Sequence, residues 1–218
     1  MSRVLVIGNG LIGSAIFHEL ESCGFEVTVF SRKKSPELPC RQLIGDVQIL
    51  EDVKKALQLN PEIVVQTSWI TTPGEYQYSP LNVGYADATI QLARLLANMS
   101  VKHFIVLGSC AEYGLQTIPS RAGFTELYPQ NVYAKEKIRT YVECAALLQD
   151  TNVRFTWARL FLPFGPNQDT RRIIPSMIES FLQSKPLLIK DCRSLNDWIT
   201  TRDVASAILW VIQNQLPQ

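Results

Sequence analysis

Short apolar runs alternate with longer amphipathic stretches along the whole 218-residue chain. The apolar runs predict six buried strands, which lie at residues 4–7, 26–30, 41–44, 62–66, 103–107 and 153–160. Stretches with apolar positions three and four residues apart predict helices, which lie at residues 11–20, 47–59, 82–99, 131–148, 173–182 and 201–213. Regular alternation of this kind predicts an α/β fold, a doubly wound parallel sheet with helices on both faces.

A glycine pattern follows the first predicted strand. Gly8, Gly10 and Gly13 form G-x-G-x-x-G, and Leu11 and Ile12 begin the helix that comes next. The first glycine allows a tight turn, the second lets a pyrophosphate approach the backbone, and the third brings the helix close to the strand. The helix N-terminus then offers free N–H groups to the phosphates. The position between strand and helix favours dinucleotide binding over a purely structural turn.

The residues after the second strand bear on the choice of cofactor. Ser31, Arg32, Lys33 and Lys34 stand there, and no carboxylate occurs before Glu37. A fold that prefers NAD usually has Asp or Glu here for the ribose 2′-hydroxyl, whereas Arg suits a 2′-phosphate. We therefore expect NADP, with NAD less favoured, and contacts from Ser31, Arg32 and Lys33. The alternative is a solvated basic loop without a ligand.

Composition argues against several classes of function. A net charge of +1 gives no general reason to expect nucleic acid or an anionic membrane as a partner. The five cysteines form no C-x-x-C pair and the two histidines are far apart, so neither a metal site nor a disulfide framework is expected. The first apolar run is too short for a signal peptide or an anchor. A soluble protein of the cytoplasm is the expectation, and no linker divides residues 1–218, which suggests one domain.

Three residues suggest chemistry at the carboxyl edge of the sheet. Tyr133 and Lys137 are four residues apart on a predicted helix, so their side chains share one face. A neighbouring cation would lower the pKa of the tyrosine and make it a general acid or base for a carbonyl/alcohol conversion. Ser109 follows the fifth strand at the same edge, where its hydroxyl would hold the substrate oxygen. The alternative is a half-buried tyrosine with a lysine neighbour by chance.

These residues resemble the extended short-chain dehydrogenase/reductase family, in its NAD(P)-dependent epimerase/dehydratase branch that modifies nucleotide sugars. The resemblance covers essentially the whole chain. Its further motifs are Gly45-Asp46, Asn82-Val-Gly84, Ser109 to Gly114, Pro129 to Lys137, Arg159 to Pro166 and Asp197 to Val204.

The resemblance implies a role for each position. Ser109 and Tyr133 would hold and protonate a keto oxygen, and Lys137 would bind the nicotinamide ribose. Asp46 and Val47 would flank the adenine. Thr67 would contact the cofactor, and Asn82 the substrate.

Several positions depart from the pattern of that branch. Leu162 stands where many members have an Asn, Asn196 replaces a frequent Arg, and the glycine loop is one residue shorter than usual. Cys110 and Ala111 replace the acidic pair of dehydratases, which argues against elimination of water. The short sequence after Val204 suggests a reduced C-terminal substrate lobe, with residues 163–200 as its remnant.

The resulting hypothesis is an NADPH-dependent enzyme that reduces, or epimerises, a keto group of a nucleotide-linked sugar. A reductase of a small non-nucleotide carbonyl and a non-catalytic NADP-binding regulatory protein remain open as alternatives. The sequence does not indicate which sugar or which nucleotide. A homodimer is also expected, through apolar residues on the two long central helices, namely Leu95, Leu96, Ala134, Ile138 and Leu147.

Overall fold

The computed structural model describes residues 1–189 and 195–214. Its strands are β1 (Arg3–Ile7), β2 (Glu26–Ser31), β3 (Arg41–Ile44), β4 (Ile63–Gln66), β5 (His103–Ser109), β6 (Arg154–Leu160), β7 (Leu162–Phe164) and β8 (Trp198–Thr200). Its α-helices are α1 (Leu11–Ser22), α2 (Leu50–Leu57), α3 (Leu81–Leu96), α4 (Val132–Leu148), α5 (Ile173–Leu182) and α6 (Thr201–Gln213). A 3₁₀ turn, Cys110–Tyr113, follows β5 directly.

Six parallel strands form the main sheet in the order β3-β2-β1-β4-β5-β6. The order reverses between β1 and β4, because β2 and β3 extend the sheet on one side and β4 to β6 on the other. Ligands in open α/β sheets bind at the carboxyl ends of the strands beside such a reversal. The predicted Rossmann-like fold is confirmed, and it places the glycine loop beside the reversal.

Alternate residues of the central strands point to opposite faces of the sheet, and each face has its own buried core. Leu5 and Ile7 of β1 pack with α2, α3 and α4 residues on one face. Val4 and Val6 of the same strand pack with α1 and α6 on the other face. Because β1 is apolar on both faces, it reads in the sequence as an uninterrupted apolar run.

The region after β6 departs from the predicted pattern. β7 and β8 form a separate parallel pair with Leu162 opposite Trp198, and neither strand was predicted. The predicted helix at residues 173–182 is confirmed as α5. Residues 190–194, within the expected lobe remnant at 163–200, lie outside the described residues. The assignment of that lobe therefore stays a prediction.

Helices α3 and α4 pack against each other on one face of the sheet. Leu96 and Ala134, expected to contribute to a dimer interface, are fully buried within the subunit. That part of the expectation is wrong, because these side chains belong to the core. In the described part of the chain, no helix combines the length and apolar character needed to cross a membrane.

Candidate active site

The glycine loop is held between the ends of β1, β2 and β4. Gly8 has a φ of +108° and donates its N–H to the Phe30 carbonyl at 2.8 Å. The Thr67 hydroxyl donates to the Ile7 carbonyl at 2.9 Å, and the Thr67 N–H donates to the same oxygen. Thr67, predicted to contact the cofactor, thus fixes the start of the loop from the neighbouring strand.

Gly13 is tightly packed against the loop, whereas Gly10 borders open space. A Cβ atom at Gly13 would lie 2.1 Å from the Gly8 carbonyl oxygen, so this glycine allows helix and loop to touch. A Cβ atom at Gly10 would meet no protein atom within 4 Å, and its φ of −73° suits any residue. The space over Gly10 is therefore open, beside the N-terminus of α1 where Leu11 and Ile12 begin the first turn. That turn has no acidic side chain to compete with a phosphate. The residues present fit a dinucleotide pyrophosphate.

The predicted selectivity residues lie at the end of β2. Ser31 is buried, and its hydroxyl donates to the Lys33 carbonyl at 2.9 Å. Asn9 in the glycine loop donates its amide to the same carbonyl at 2.7 Å. The backbone after β2 is thereby tied to the glycine loop, while the side chains of Arg32 and Lys33 remain exposed.

Asp46 and Val47, predicted to flank an adenine, follow β3. The Asp46 carboxylate accepts a hydrogen bond from the Gln48 N–H at 3.0 Å, and Val47 is buried. Both residues lie in the turn before α2, at the same edge of the sheet as the glycine loop.

Ser109 and Tyr133 are brought together as predicted. Ser109 is the last residue of β5, and Tyr133 lies in the first turn of α4. The Ser109 hydroxyl lies near the Tyr133 phenol and favours its ionised form. Burial raises the pKa of Tyr133 well above its ordinary value, and the nearby Ser109 hydroxyl opposes this only in part. The expectation of a lowered tyrosine pKa is wrong for this site, because desolvation outweighs the nearby groups that stabilise a phenolate.

Lys137 lies on the same face of α4 as Tyr133, but its ammonium group contacts the Leu107 carbonyl and the Trp69 ring. Its Nζ donates to the Leu107 carbonyl at 2.7 Å and lies 3.6 Å from the centroid of the Trp69 ring, against 5.8 Å for the Tyr133 ring. Burial lowers the pKa of Lys137 to about 7, and the negative charge of Glu112 opposes that change.

Trp69 and Asn82 form the wall of the site opposite Ser109. Asn82 is fully buried and accepts from the Trp69 indole N–H at 2.7 Å. Its amide donates to the carbonyls of Tyr76 and Ser79 at 2.6 and 2.8 Å. Both donors of Asn82 are thus used within the protein. The predicted contact of Asn82 with substrate stays a prediction.

Aromatic rings enclose Tyr133. The Tyr76 ring meets it edge to face with centroids 4.9 Å apart, and the Trp69 ring lies at 6.4 Å. Trp69 and Tyr76 thus lie against the tyrosine, whereas Tyr78 is 70% exposed.

A buried ion pair beneath Ser109 was not predicted. Glu112 in the 3₁₀ turn is fully buried, and its carboxylate binds the Arg159 Nε at 2.5 Å. It also accepts from the Ser109 N–H at 2.7 Å and from the Trp157 indole at 3.0 Å. One signal was available in the sequence: Trp157 and Arg159 are two apart on a strand, so both face the turn that carries Glu112.

Comparisons with known proteins agree with this geometry. The sequence model of the NAD dependent epimerase/dehydratase family matches residues 4–218. No curated protein matches the chain. Solved structures do match over nearly all of this chain.

Three of these structures share this fold. MoeE5 in complex with UDP-glucose and NAD is 25% identical, with a TM-score of 0.80 over 95% of this chain and 71% of that one. A UDP-N-acetylglucosamine 4-epimerase from Methanobrevibacter ruminantium M1, in complex with UDP-N-acetylmuramic acid, is 23% identical, with a TM-score of 0.86 over 99% and 74%. TunA, an NAD-dependent NDP-hexosamine 5,6-dehydratase, is 22% identical, with a TM-score of 0.86 over 100% and 74%.

Proposed function

The chain belongs to the NAD dependent epimerase/dehydratase family, and we propose that it reduces the keto group of a nucleotide-linked sugar with a nicotinamide dinucleotide. The observation that carries this proposal is the juxtaposition of Ser109 and Tyr133 at the carboxyl edge of the sheet. The pair lies on β5 and α4, at the same sheet edge as the open space over Gly10.

The reaction requires a proton donor for the oxygen of the carbonyl. A bound dinucleotide would supply the hydride. The Tyr133 phenol would give its proton to the developing alkoxide, and the Ser109 hydroxyl would hydrogen-bond to the same oxygen. The glycine loop and the α1 N-terminus would hold the phosphates, and Lys137 would bind the nicotinamide ribose.

Burial keeps the Tyr133 phenol protonated at neutral pH, and this is the form that donates a proton to a carbonyl oxygen. An epimerase must first take a proton from a sugar hydroxyl, a step for which the protonated phenol is not the active form.

Elimination of water is disfavoured by the residues after Ser109. Cys110 and Ala111 carry no acid, and the Glu112 carboxylate is bonded to Arg159 and Trp157 below the site. No carboxyl group of the 3₁₀ turn is therefore free to protonate a leaving hydroxyl.

For the cofactor we propose NADPH over NADH. Arg32 and Lys33 are exposed at the end of β2, next to the glycine loop, and neither Ser31 nor Arg32 offers an acceptor carboxylate for a ribose 2′-hydroxyl. MoeE5 and other similar structures hold NAD, so the preference is a property to be measured on this chain.

A nucleotide sugar is the proposed substrate because similar proteins bind such molecules. MoeE5 is complexed with UDP-glucose, and the Methanobrevibacter epimerase with a UDP-linked sugar. On this chain Arg172 adds a cation near the site, since its guanidinium stacks 5.2 Å from the Tyr76 ring and binds the Thr71 carbonyl at 2.8 Å.

We also propose a homodimer through α3 and α4. Their outer surfaces expose Val83 and Val142, and Arg139 on α4 binds Asp87 on α3 at 2.7 Å. A dimer mass by light scattering at micromolar concentration is expected, and a monomer mass would contradict this interface.

A substrate screen tests the proposed activity. The purified protein is incubated with NADPH or NADH and with UDP-linked keto sugars, and the loss of reduced nicotinamide is followed by absorbance. Consumption that depends on the nucleotide-linked sugar is expected. Turnover of simple carbonyls alone would favour the small-carbonyl alternative, and no turnover of either class would contradict the proposed reaction.

A further inference from the structure

Glu112 is a buried carboxylate whose bonding capacity is fully used. It has no exposed surface, and its oxygens accept from the Ser109 N–H at 2.7 Å, from the Trp157 indole at 3.0 Å and from Arg159. A buried charge is costly unless it is paired and hydrogen-bonded, and this one has both kinds of partner. The carboxylate thus links the end of β5 to β6.

The surrounding chain is shaped to admit this carboxylate. A Cβ atom at Gly108 would lie 2.3 Å from the Trp157 indole nitrogen and 2.7 Å from a Glu112 oxygen, so the position requires glycine. The Arg159 guanidinium lies 5.3 Å from the Tyr113 ring and 5.1 Å from the Tyr141 ring. Both ends of the ion pair are therefore held in one geometry.

The network ends on the residues of the proposed reaction. Glu112 accepts the Ser109 N–H, while the Ser109 hydroxyl accepts the Ala111 N–H at 3.2 Å, so the turn fixes Ser109 from both directions. The Lys137 Nζ lies 5.8 Å from the centroid of the Trp157 ring, whose indole N–H binds Glu112, so the negative charge of the carboxylate acts on the Lys137 ammonium at close range. Lys137 is otherwise bonded only to neutral groups, a carbonyl and an indole ring, among the contacts of the described residues.

We propose that Glu112 is a positioning residue that holds Ser109 in place and whose negative charge keeps Lys137 protonated. Arg159 is the counter-ion of Glu112. This role rests on the proposed function in one respect: it requires that Ser109 acts on the substrate and Lys137 on the cofactor. A purely structural capping residue would account for the hydrogen bonds but not for an electrostatic effect on Lys137.

An NMR titration tests the electrostatic part without any substrate, because no reagent has to reach the buried Lys137 side chain. The protein is labelled with ¹³C-lysine, Lys137→Met assigns the Lys137 signal, and the chemical shift of its Cε against pH reports the midpoint pH for Lys137. The titratable and charged groups around the site are Glu112, Cys110, Arg159, Tyr133 and Tyr76.

Two substitutions should move this midpoint in opposite directions. Glu112→Gln removes the attraction and leaves Arg159 uncompensated, so the Lys137 midpoint should fall by about one pH unit. Arg159→Gln leaves the carboxylate facing Lys137 alone, so the midpoint should rise by a similar amount. Glu136→Gln is the matched control, because Glu136 also pairs with an arginine, Arg139 at 2.7 Å, but on the outer side of α4. In Glu136→Gln the midpoint pH of Lys137 should stay at the wild-type value.

An unchanged midpoint in Glu112→Gln, or shifts of the same sign in both variants, would overturn the proposal. If Glu112→Gln does not fold, the upward shift in Arg159→Gln still decides the question. Turnover is measured alongside, and kcat of Glu112→Gln should fall at least tenfold with KM changed much less, because Ser109 is displaced. Opposite midpoint shifts without wild-type turnover of any nucleotide sugar would uphold the role of Glu112 and contradict the proposed function.

Discussion

Gly10→Ala separates a binding role of the glycine loop from a structural one. A Cβ atom here meets no protein atom within 4 Å, and the backbone angles of Gly10 are accessible to alanine. Alanine is a poorer N-cap than glycine by up to about 1 kcal/mol, while the loss of unfolded-chain freedom returns about 0.4–1 kcal/mol. The net change in stability should stay within about 1 kcal/mol, or roughly 2–4 °C in Tm for a chain of this size.

The effect of Gly10→Ala on ligand binding should be much larger. If a pyrophosphate approaches the Gly10 backbone, the added methyl group enters its space at a cost of about 1–3 kcal/mol. This corresponds to roughly a 5- to 150-fold increase in Kd for NADPH. Fluorescence titration with NADPH measures the affinity, and thermal unfolding measures the stability of the same preparation.

Gly13→Ala provides the contrasting control. Its Cβ would lie 2.1 Å from the Gly8 carbonyl oxygen and 2.8 Å from the Thr67 hydroxyl, so it should destabilise the fold itself. A Gly10→Ala protein that binds NADPH as tightly as the wild type would refute the reasoning, since the loop would then be an ordinary turn. A large drop in its Tm would equally contradict the open space described over Gly10.

Three further predictions follow from individual side chains. Arg32→Ala should remove most of a preference for NADPH over NADH, about tenfold or more from charge-assisted bonds of roughly 1.5–3 kcal/mol; equal Kd values for the two cofactors in the wild type would contradict it. Lys137→Met should impair both turnover and NADPH binding. Ser109→Ala should reduce kcat and leave the affinity for NADPH nearly unchanged. If Ser109→Ala changed only the affinity for NADPH, Ser109 would belong to the cofactor site. Burial and Arg154 lower the pKa of His103 to about 3, so the unfolded chain binds more protons than the folded one between about pH 3 and 6.5. The free energy of unfolding should therefore decrease by up to about 1.4 kcal/mol for each unit by which the pH is lowered through that window; urea unfolding of His103→Gln should show a smaller dependence on pH.

The main sheet was predictable because its strands are buried on both faces. Each of β1, β2, β4 and β5 is an apolar run, and turn residues separate these runs from the helices. Helix α6 was predicted at its observed bounds, since Thr200 caps it through the Asp203 N–H. β7 and β8 were missed because each has three residues, only partly buried, and they pair across a long stretch of chain.

The predicted α2 was too long at both ends for a local reason. Residues 47–49 form a turn instead of helix, with the Ile49 N–H bonded to the Asp46 carbonyl at 2.9 Å. The apolar pattern does not distinguish this turn from a first helical turn.

Sequence spacing predicted which residues of the site meet, but not their electrostatics. The interval of four between Tyr133 and Lys137 places both on one face, and the edge of the sheet brings Ser109 to them. The direction of the shift in the Tyr133 pKa depends on its burial by Trp69 and Tyr76, which lie on a loop distant in sequence. For Glu112 the sequence offers only the spacing of Trp157 and Arg159, which are two residues apart and so share one face of β6.

Transfer of deuterium from a labelled cofactor tests the central claim most directly. The protein is mixed with NADPH deuterated at the transferred position and a UDP-linked keto sugar, and the sugar product is analysed by mass spectrometry. The account predicts one deuterium on the reduced carbon with the wild type, and formation slowed about 10²- to 10⁴-fold in Tyr133→Phe with NADPH affinity unchanged. A sugar without deuterium, or a Tyr133→Phe protein that reduces it at the wild-type rate, would contradict the account.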